Sequence, residues 1–328
     1  MLEEDFYRTY SKYLKDIYGE KVYKLPVKLN LSCPNRDGNI ATGGCIFCGE
    51  EGGSFENCNI SMSVEEQVLR NKSYISKKYN AKKFIVYFQN FTNTYLGIDD
   101  FKKMIEDGVV DEDIIGISLS TRPDCILEEQ LLFLKNFQKN RNLEIDFELG
   151  LQTVNYRTLI KLNRGHTLAE FINAVNLIHK FGFRVCTHII VGLPWDDELD
   201  MVESAKILSA LKVEEVKLHS LYIVKNTVLG EMYSKGEIEL ISKAKFIDLV
   251  ISFLRNLDKK IVLQRLLGRV PEENSLFCNW NTSWWKIRDE ILEKMDKNNF
   301  RQGDLFNNFE GVVKKQWKTM DFLTLLVL

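Results

Sequence analysis

The sequence predicts an α/β chain folded as a partial (β/α)6 barrel of TIM type, with a helix before it and a short extension after it. Six candidate strands are separated by helical stretches rather than by hairpin turns, which is the pattern of a parallel sheet. Most of those strands alternate apolar with polar positions, so each offers one face to helices and the other to a lumen. The residues with chemical potential fall at the strand ends, where a parallel barrel places its active site.

In chain order, Phe6, Tyr10, Tyr13, Leu14 and Ile17 stand at helical spacing and predict a capping helix within residues 1–20. Strands are expected at 26–32, 83–89, 114–120, 145–152, 183–191 and 215–222. The helices between them are expected at 64–78, opened by Ser63 as N-cap with Glu65 and Glu66 in the first turn, then at 99–107, 127–140, 167–181 and 197–211, with 242–257 after the last strand. The barrel thus occupies residues 21–260. In the extension, 261–328, the run KKIVLQRLLG reads as one more strand at the barrel edge and 283–296 as a helix.

The strand faces define the lumen. Ile145, Phe147, Leu149 and Leu151 oppose Asp146, Glu148, Gly150 and Gln152, and Val216 and Leu218 oppose Lys217 and His219. In the first strand Val27, Leu29 and Leu31 oppose Lys28, Asn30 and Ser32, and the third carries Arg122 on its polar face. Burying such groups without partners would cost roughly 2–7 kcal/mol each, so the lumen is expected to hold a polar ligand and water. An antiparallel sheet with one wet face alternates in the same way, and the helices between strands argue against it. For Glu148 the plainer reading is an ion pair with Lys28 or Lys217. His188 faces the lumen, where a single histidine is more often a satisfied core residue than a catalyst.

Composition bounds the partners. Lys plus Arg number 44 against 46 Asp plus Glu, a net charge of −2 with 4 His, so the global charge does not advertise a nucleic-acid binder. The first residues carry charges throughout and lack an apolar core, so no signal peptide is expected, and the final FLTLLVL is too short to span a bilayer. Seven cysteines without an export signal point to the cytoplasm and to no membrane association.

Residues 29–53 hold Cys33, Cys45 and Cys48 as C-x11-C-x2-C, among Pro34, Asn35, Asp37 and the glycines Gly38, Gly43, Gly44 and Gly49. That is a bent loop able to converge its thiols. Structural zinc and ordinary iron–sulfur clusters use four protein ligands, whereas three leave a coordination position open for exogenous chemistry. Zinc completed by Cys58 or by a distant histidine is the alternative. Cys58, Cys125, Cys186 and Cys278 show no such spacing among them and read as buried thiols by default.

The loop, ending C-x-F-C after a first strand, resembles the radical S-adenosylmethionine (SAM) enzymes. Its long first gap is similar to the branch containing the catalytic subunit of Elongator. STRPD (120–124), ELGLQT and LNRGHT (162–167) resemble that branch too, so the likeness covers several segments. It implies that Cys33, Cys45 and Cys48 bind a [4Fe–4S] cluster that, reduced by a flavodoxin- or ferredoxin-type partner, cleaves SAM to a 5′-deoxyadenosyl radical. The implied cofactor contacts are Phe47 between the paired cysteines, Arg122, Glu148, Gln152, Arg164, and Gly192 and Leu193 in the turn beside the adenine. The Gly-Gly-Glu segment of many such enzymes is missing after the second strand, where Gln89 and Asn90 are candidates to replace it or simply form a polar turn. Thr167 reads as a helix cap. Lys217, His219 and Tyr222 on the sixth strand are the candidates for acting on substrate. The resembled branch acts on the C5 side chain of wobble uridine in tRNA, which makes tRNA a candidate partner, through Lys82, Lys83, Arg265, Arg269, Lys314, Lys315 and Lys318. The residues after 260 are too few for Elongator's acetyltransferase domain. A radical enzyme acting on a small metabolite and a zinc-stabilised interaction protein are the rival readings.

Overall fold

The computed structural model describes residues 2–50, 52 and 60–306. Its elements run α1 Tyr10–Tyr18, β1 Val22–Val27, α2 Val64–Tyr79, β2 Lys83–Phe88, α3 Ile98–Gly108, β3 Ile114–Thr121, α4 Glu128–Arg141, β4 Glu144–Gln152 and α5 Tyr156–Lys161. They continue α6 Leu168–Lys180, β5 Arg184–Val191, α7 Glu198–Ala210, β6 Glu215–Ser220, β7 Ile223–Val224, α8 Val228–Ser234, α9 Lys243–Asn256, β8 Val262–Arg265, β9 Ser275–Phe277 and α10 Trp284–Lys297.

Seven of the strands make one sheet in the order β1-β2-β3-β4-β5-β6-β8, every pair parallel, curled as a half-barrel. The alternation read from sequence is realised: Val86, Phe88, Ile117, Leu119, Phe147, Leu149, Val185, Ile189, Val216 and Leu218 are buried in one core against the helices. Helix starts follow capping chemistry. The Ser63 side chain accepts from the Glu66 amide while Glu66 reaches back, and Thr167 with Glu170 and Asp197 with Asp200 do the same.

The first strand lies earlier than expected, at 22–27 rather than 26–32. Pro26 sits inside it, which is tolerated because β1 is the sheet edge and needs only one ladder. The lumen lysine contributed by β1 is therefore Lys24, and Lys28, Asn30 and Ser32 fall in the loop beyond. The strand expected beyond the sixth is present as β8. The opening helix is shorter than read, with a 3-10 turn at Glu3–Asp5 ahead of it.

Residues 6–9 staple the far edge. Leu263 donates its amide to the Arg8 carbonyl at 2.8 Å, Thr9 bridges Leu263, and Gln302 binds the Phe6 carbonyl at 2.9 Å and the Arg8 amide at 2.9 Å. This fixes α1 under the sheet, with Tyr10 facing the lumen.

Candidate active site

A cavity of about 1180 Å³ runs from the cysteine loop down the half-barrel. Cys33, Cys45 and Cys48 all line it at the C-terminal ends of the strands. The loop is anchored from both sides: the Ile46 amide donates to the Leu162 carbonyl at 3.0 Å, and the Ile46 carbonyl accepts from Leu229 at 2.9 Å. Ile46 and Phe47 pack on a second apolar cluster that includes Leu162, Ile190, Leu193 and Leu229. Phe47 is thus both an anchor and part of the cavity wall.

The surroundings suit thiolate sulfur. Asn35 Nδ2 and Arg164 Nη1 each donate to the Cys45 sulfur at 3.6 Å. Arg122 is buried, its Nε and Nη2 held by Asp124 at 2.8 and 2.7 Å, while its Nη1 has no hydrogen-bond partner among the described residues. Arg164 gives Nη2 to the Gly150 carbonyl at 2.7 Å, and its buried Nε is likewise unpartnered. Two buried guanidiniums with spare donors beside three thiols fit a negatively charged cluster and a carboxylate ligand. Burial, then the neighbouring Cys45, pushes the Cys48 thiol up to about 11, so a metal must displace its proton. Among the described residues, Glu148, Cys186 and His188 also bring metal-type donor atoms within 4.8 Å of one another.

Gly150 and Gly165 make the approach possible. A Cβ at 150 would stand 2.7 Å from Gln152 Nε2 and 2.8 Å from Arg164 Nη2; at 165, where φ is +72°, it would stand 2.5 Å from Asn35 Oδ1. Gln152 lines the cavity with φ 76°, at a register shift in β4. Gln89 and Arg122 also face the cavity, whereas the Asn90 amide is spent on the Leu29 backbone, at 2.9 Å to its N–H and 2.7 Å to its carbonyl. Gly192 takes φ 91° and Leu193 is buried.

Below the cysteine loop lies a polar network centred on Glu148. Its Oε1 accepts from Lys24 at 2.6 Å; its Oε2 accepts from the Tyr87 hydroxyl at 2.7 Å, His188 Nε2 at 2.6 Å and Lys217 at 2.7 Å. Against the upward push of burial, Lys217 and Lys24 hold this carboxyl well below the usual range. The lysines paired with Glu148 among the described residues are Lys24 and Lys217, the second as read. Lys24, Tyr87, Asn35 and His166 were missed in the sequence. The His219 ring lies tilted by 34° to that of His188, centroids 5.1 Å apart, and accepts from Arg265 Nη2. Tyr222 lies beyond the end of β6 on the cavity wall. Of the basic residues read as phosphate contacts, Arg265 and Arg269 line the cavity, and Lys82 and Lys83 stand at the opposite end of β2. Cys58, Lys314, Lys315 and Lys318 lie outside the described residues.

Three histidines are kept neutral by burial: His188, pushed down to about 4; His166, pushed to about 2 with Arg164 and Arg122 adding to it; and His219, well below its ordinary value. Unfolded, each would charge near pH 6.5, so the unfolded chain binds more protons below that pH and stability falls on acidification. Asp146 and Asp196, pushed up to about 6 by burial, offset part of the loss. The balance is a decline on the order of 3 kcal/mol from about pH 7 to about pH 5. Urea unfolding across that range should register it; unchanged or rising stability would contradict the buried, neutral histidines.

A parallel half-barrel with a large cavity at its carboxyl end, lined by charged and polar side chains among apolar ones, defines a partial-barrel enzyme. The profile of the Radical SAM superfamily matches residues 36–208, and that of the Radical_SAM C-terminal domain matches 213–297. The chain belongs to the radical SAM superfamily. Membership implies a [4Fe–4S] cluster and SAM as cofactors. The chain is 37% identical over 303 residues to the uncharacterised protein MJ0486 of Methanocaldococcus jannaschii, covering 92% of both. It is 30% identical over 145 residues to the tRNA uridine(34) acetyltransferase of the same organism, covering 40% of this chain and 26% of that protein. In fold it is similar to Elp3 of Methanocaldococcus infernus, with TM-score 0.65 at 16% identity over 86% of this chain and 64% of that one. Among the described residues no helix is long and apolar enough to cross a membrane.

Proposed function

We propose that Cys33, Cys45 and Cys48 hold the cluster, that Arg122 and Arg164 orient the SAM carboxylate, and that the enzyme acts on the C5 side chain of a tRNA wobble uridine, on a group such as carboxymethylaminomethyl. The observation that carries the reading is the cavity: at about 1180 Å³ it exceeds the roughly 300–1,000 Å³ that one small ligand fills. It has room for a cofactor and for a base turned out of its stack, as base-modifying enzymes require. The stretch shared with tRNA uridine(34) acetyltransferase supports the same substrate class.

When bound and reduced by one electron from a flavodoxin- or ferredoxin-type donor, the cluster and SAM supply a radical able to abstract hydrogen from carbon. The chain's own part is to position and to exclude. Asn35 and Arg164 keep hydrogen bonds on the Cys45 sulfur, Phe47 closes the apolar side, and the Glu148 network fixes Lys217, Tyr87 and His188 in the wall. Arg269 at the cavity suits a phosphate of the anticodon loop.

Nucleosides from tRNA of cells with and without the gene give the test. One C5-modified wobble uridine should disappear and its precursor accumulate. An unchanged set of uridine modifications removes tRNA as the substrate and returns the choice to a small metabolite.

A further inference from the structure

We propose that the lumen wall formed by Lys217, His219 and Arg265 binds a carboxylate carried by the substrate, which deepens the base-modification reading and rests on it. Strand register sets the three together: Lys217 of β6 is paired across the ladder with Arg265 of β8, and His219 follows Lys217 on the same face. All three line the cavity, on strands distant in the sheet from the cysteine loop that follows β1.

The charges on this wall do not balance. Lys24 and Lys217 are answered by Glu148 and, for Lys24, by Asp146 at 3.7 Å. Glu215 is committed to Arg184 at 2.7 Å and to Gln264 at 2.6 Å. Arg265 has a histidine where an acid would be expected: its Nη2 donates to the His219 ring at 2.7 Å, and no carboxylate pairs with it among the described residues. Burial and the Arg265 charge keep that ring neutral, so Arg265 is the charged member of the pair. Lys217 spends donors on Glu148 and the Tyr87 hydroxyl, which leaves one of its three. The Arg265 guanidinium, without a carboxylate partner among the described residues, and the spare ammonium hydrogen beside it match a single-charged, planar carboxylate. A phosphate monoester would bring about −1.5 to −2 charges, more than this guanidinium alone offers.

The test uses the cluster-loaded chain with nitrogen-labelled histidine, a spectrum of only 4 residues. N-methylglycine should move the His219 and His188 ring signals saturably and leave His179 in place, and its amide, which lacks the carboxylate, should not move them. Arg265→Gln, at an exposed position where folding is preserved, should weaken the binding about tenfold or more. No saturable shift, or inorganic phosphate binding as well as N-methylglycine, overturns the proposal. Anticodon stem-loops carrying 5-carboxymethylaminomethyluridine or 5-methylaminomethyluridine separate the two readings. A preference for the carboxylate-bearing loop that Arg265→Gln abolishes supports both, and equal binding of the two loops overturns the carboxylate site alone. Failure of either loop to bind, with the N-methylglycine shift intact, sustains the site and removes the tRNA reading.

Discussion

Cys45→Ala is expected to leave the anaerobically reconstituted protein colourless and without SAM cleavage, where the parent chain should carry about four irons. Cys45 is the buried member of the three and the one whose sulfur receives two hydrogen bonds, from Asn35 and Arg164. Asn35→Ala makes the graded companion. It keeps all three thiols but removes one donor to sulfur, and should lower cluster affinity by about 10–100-fold, the usual cost of losing an outer partner. Iron per chain and visible absorbance measure both. If Cys45→Ala retains iron, or if the parent chain takes up one zinc in place of iron, the cysteine assignment is wrong.

The second large effect concerns stability. Glu148→Ala should destabilise the fold by about 3–5 kcal/mol, because it strands Lys24 and Lys217 in the lumen without their shared counter-charge. Glu148→Met combined with Lys217→Met should recover part of that loss, since Lys24 keeps Asp146 and the buried pair is removed as a unit. Denaturant unfolding of the two variants provides the comparison. A loss below about 1 kcal/mol for Glu148→Ala would mean that water screens the network.

How much of this could be read in advance depended on periodicity. Strands whose outer face packs on helices and whose inner face meets a lumen must alternate, so Glu148, Lys217 and His219 were placed correctly on the inner face before any coordinates. Pro26 misled, because a proline fits either the start of a strand or the interior of an edge strand, and the chain uses the second. Lys24 was lost with it, and Lys28 wrongly took its place. Elements of two to seven residues, such as β7, β9, α5 and α8, are too short for a pattern to declare itself. Asn35 and His166 lie in glycine-containing loops, where nothing local distinguishes a turn-forming side chain from one turned toward a thiol or a carbonyl. Asn90 shows the converse: a single amide can satisfy both backbone groups of Leu29, and composition cannot tell that role from ligand binding.

The bonds that join residues 6–9 to Leu263 and Gln302 tie the start of the described chain to the edge strand β8 of the seven-stranded sheet and to the segment after α10. During synthesis the first partner leaves the ribosome long before the second exists, so the base of the lumen stays open while the successive βα units assemble. Closing so long a span is slow compared with pairing neighbouring strands. The pairing of residues 6–9 with β8 thus waits for the last strand of the sheet, and between the emergence of β8 and that pairing its edge is available to a neighbouring nascent chain.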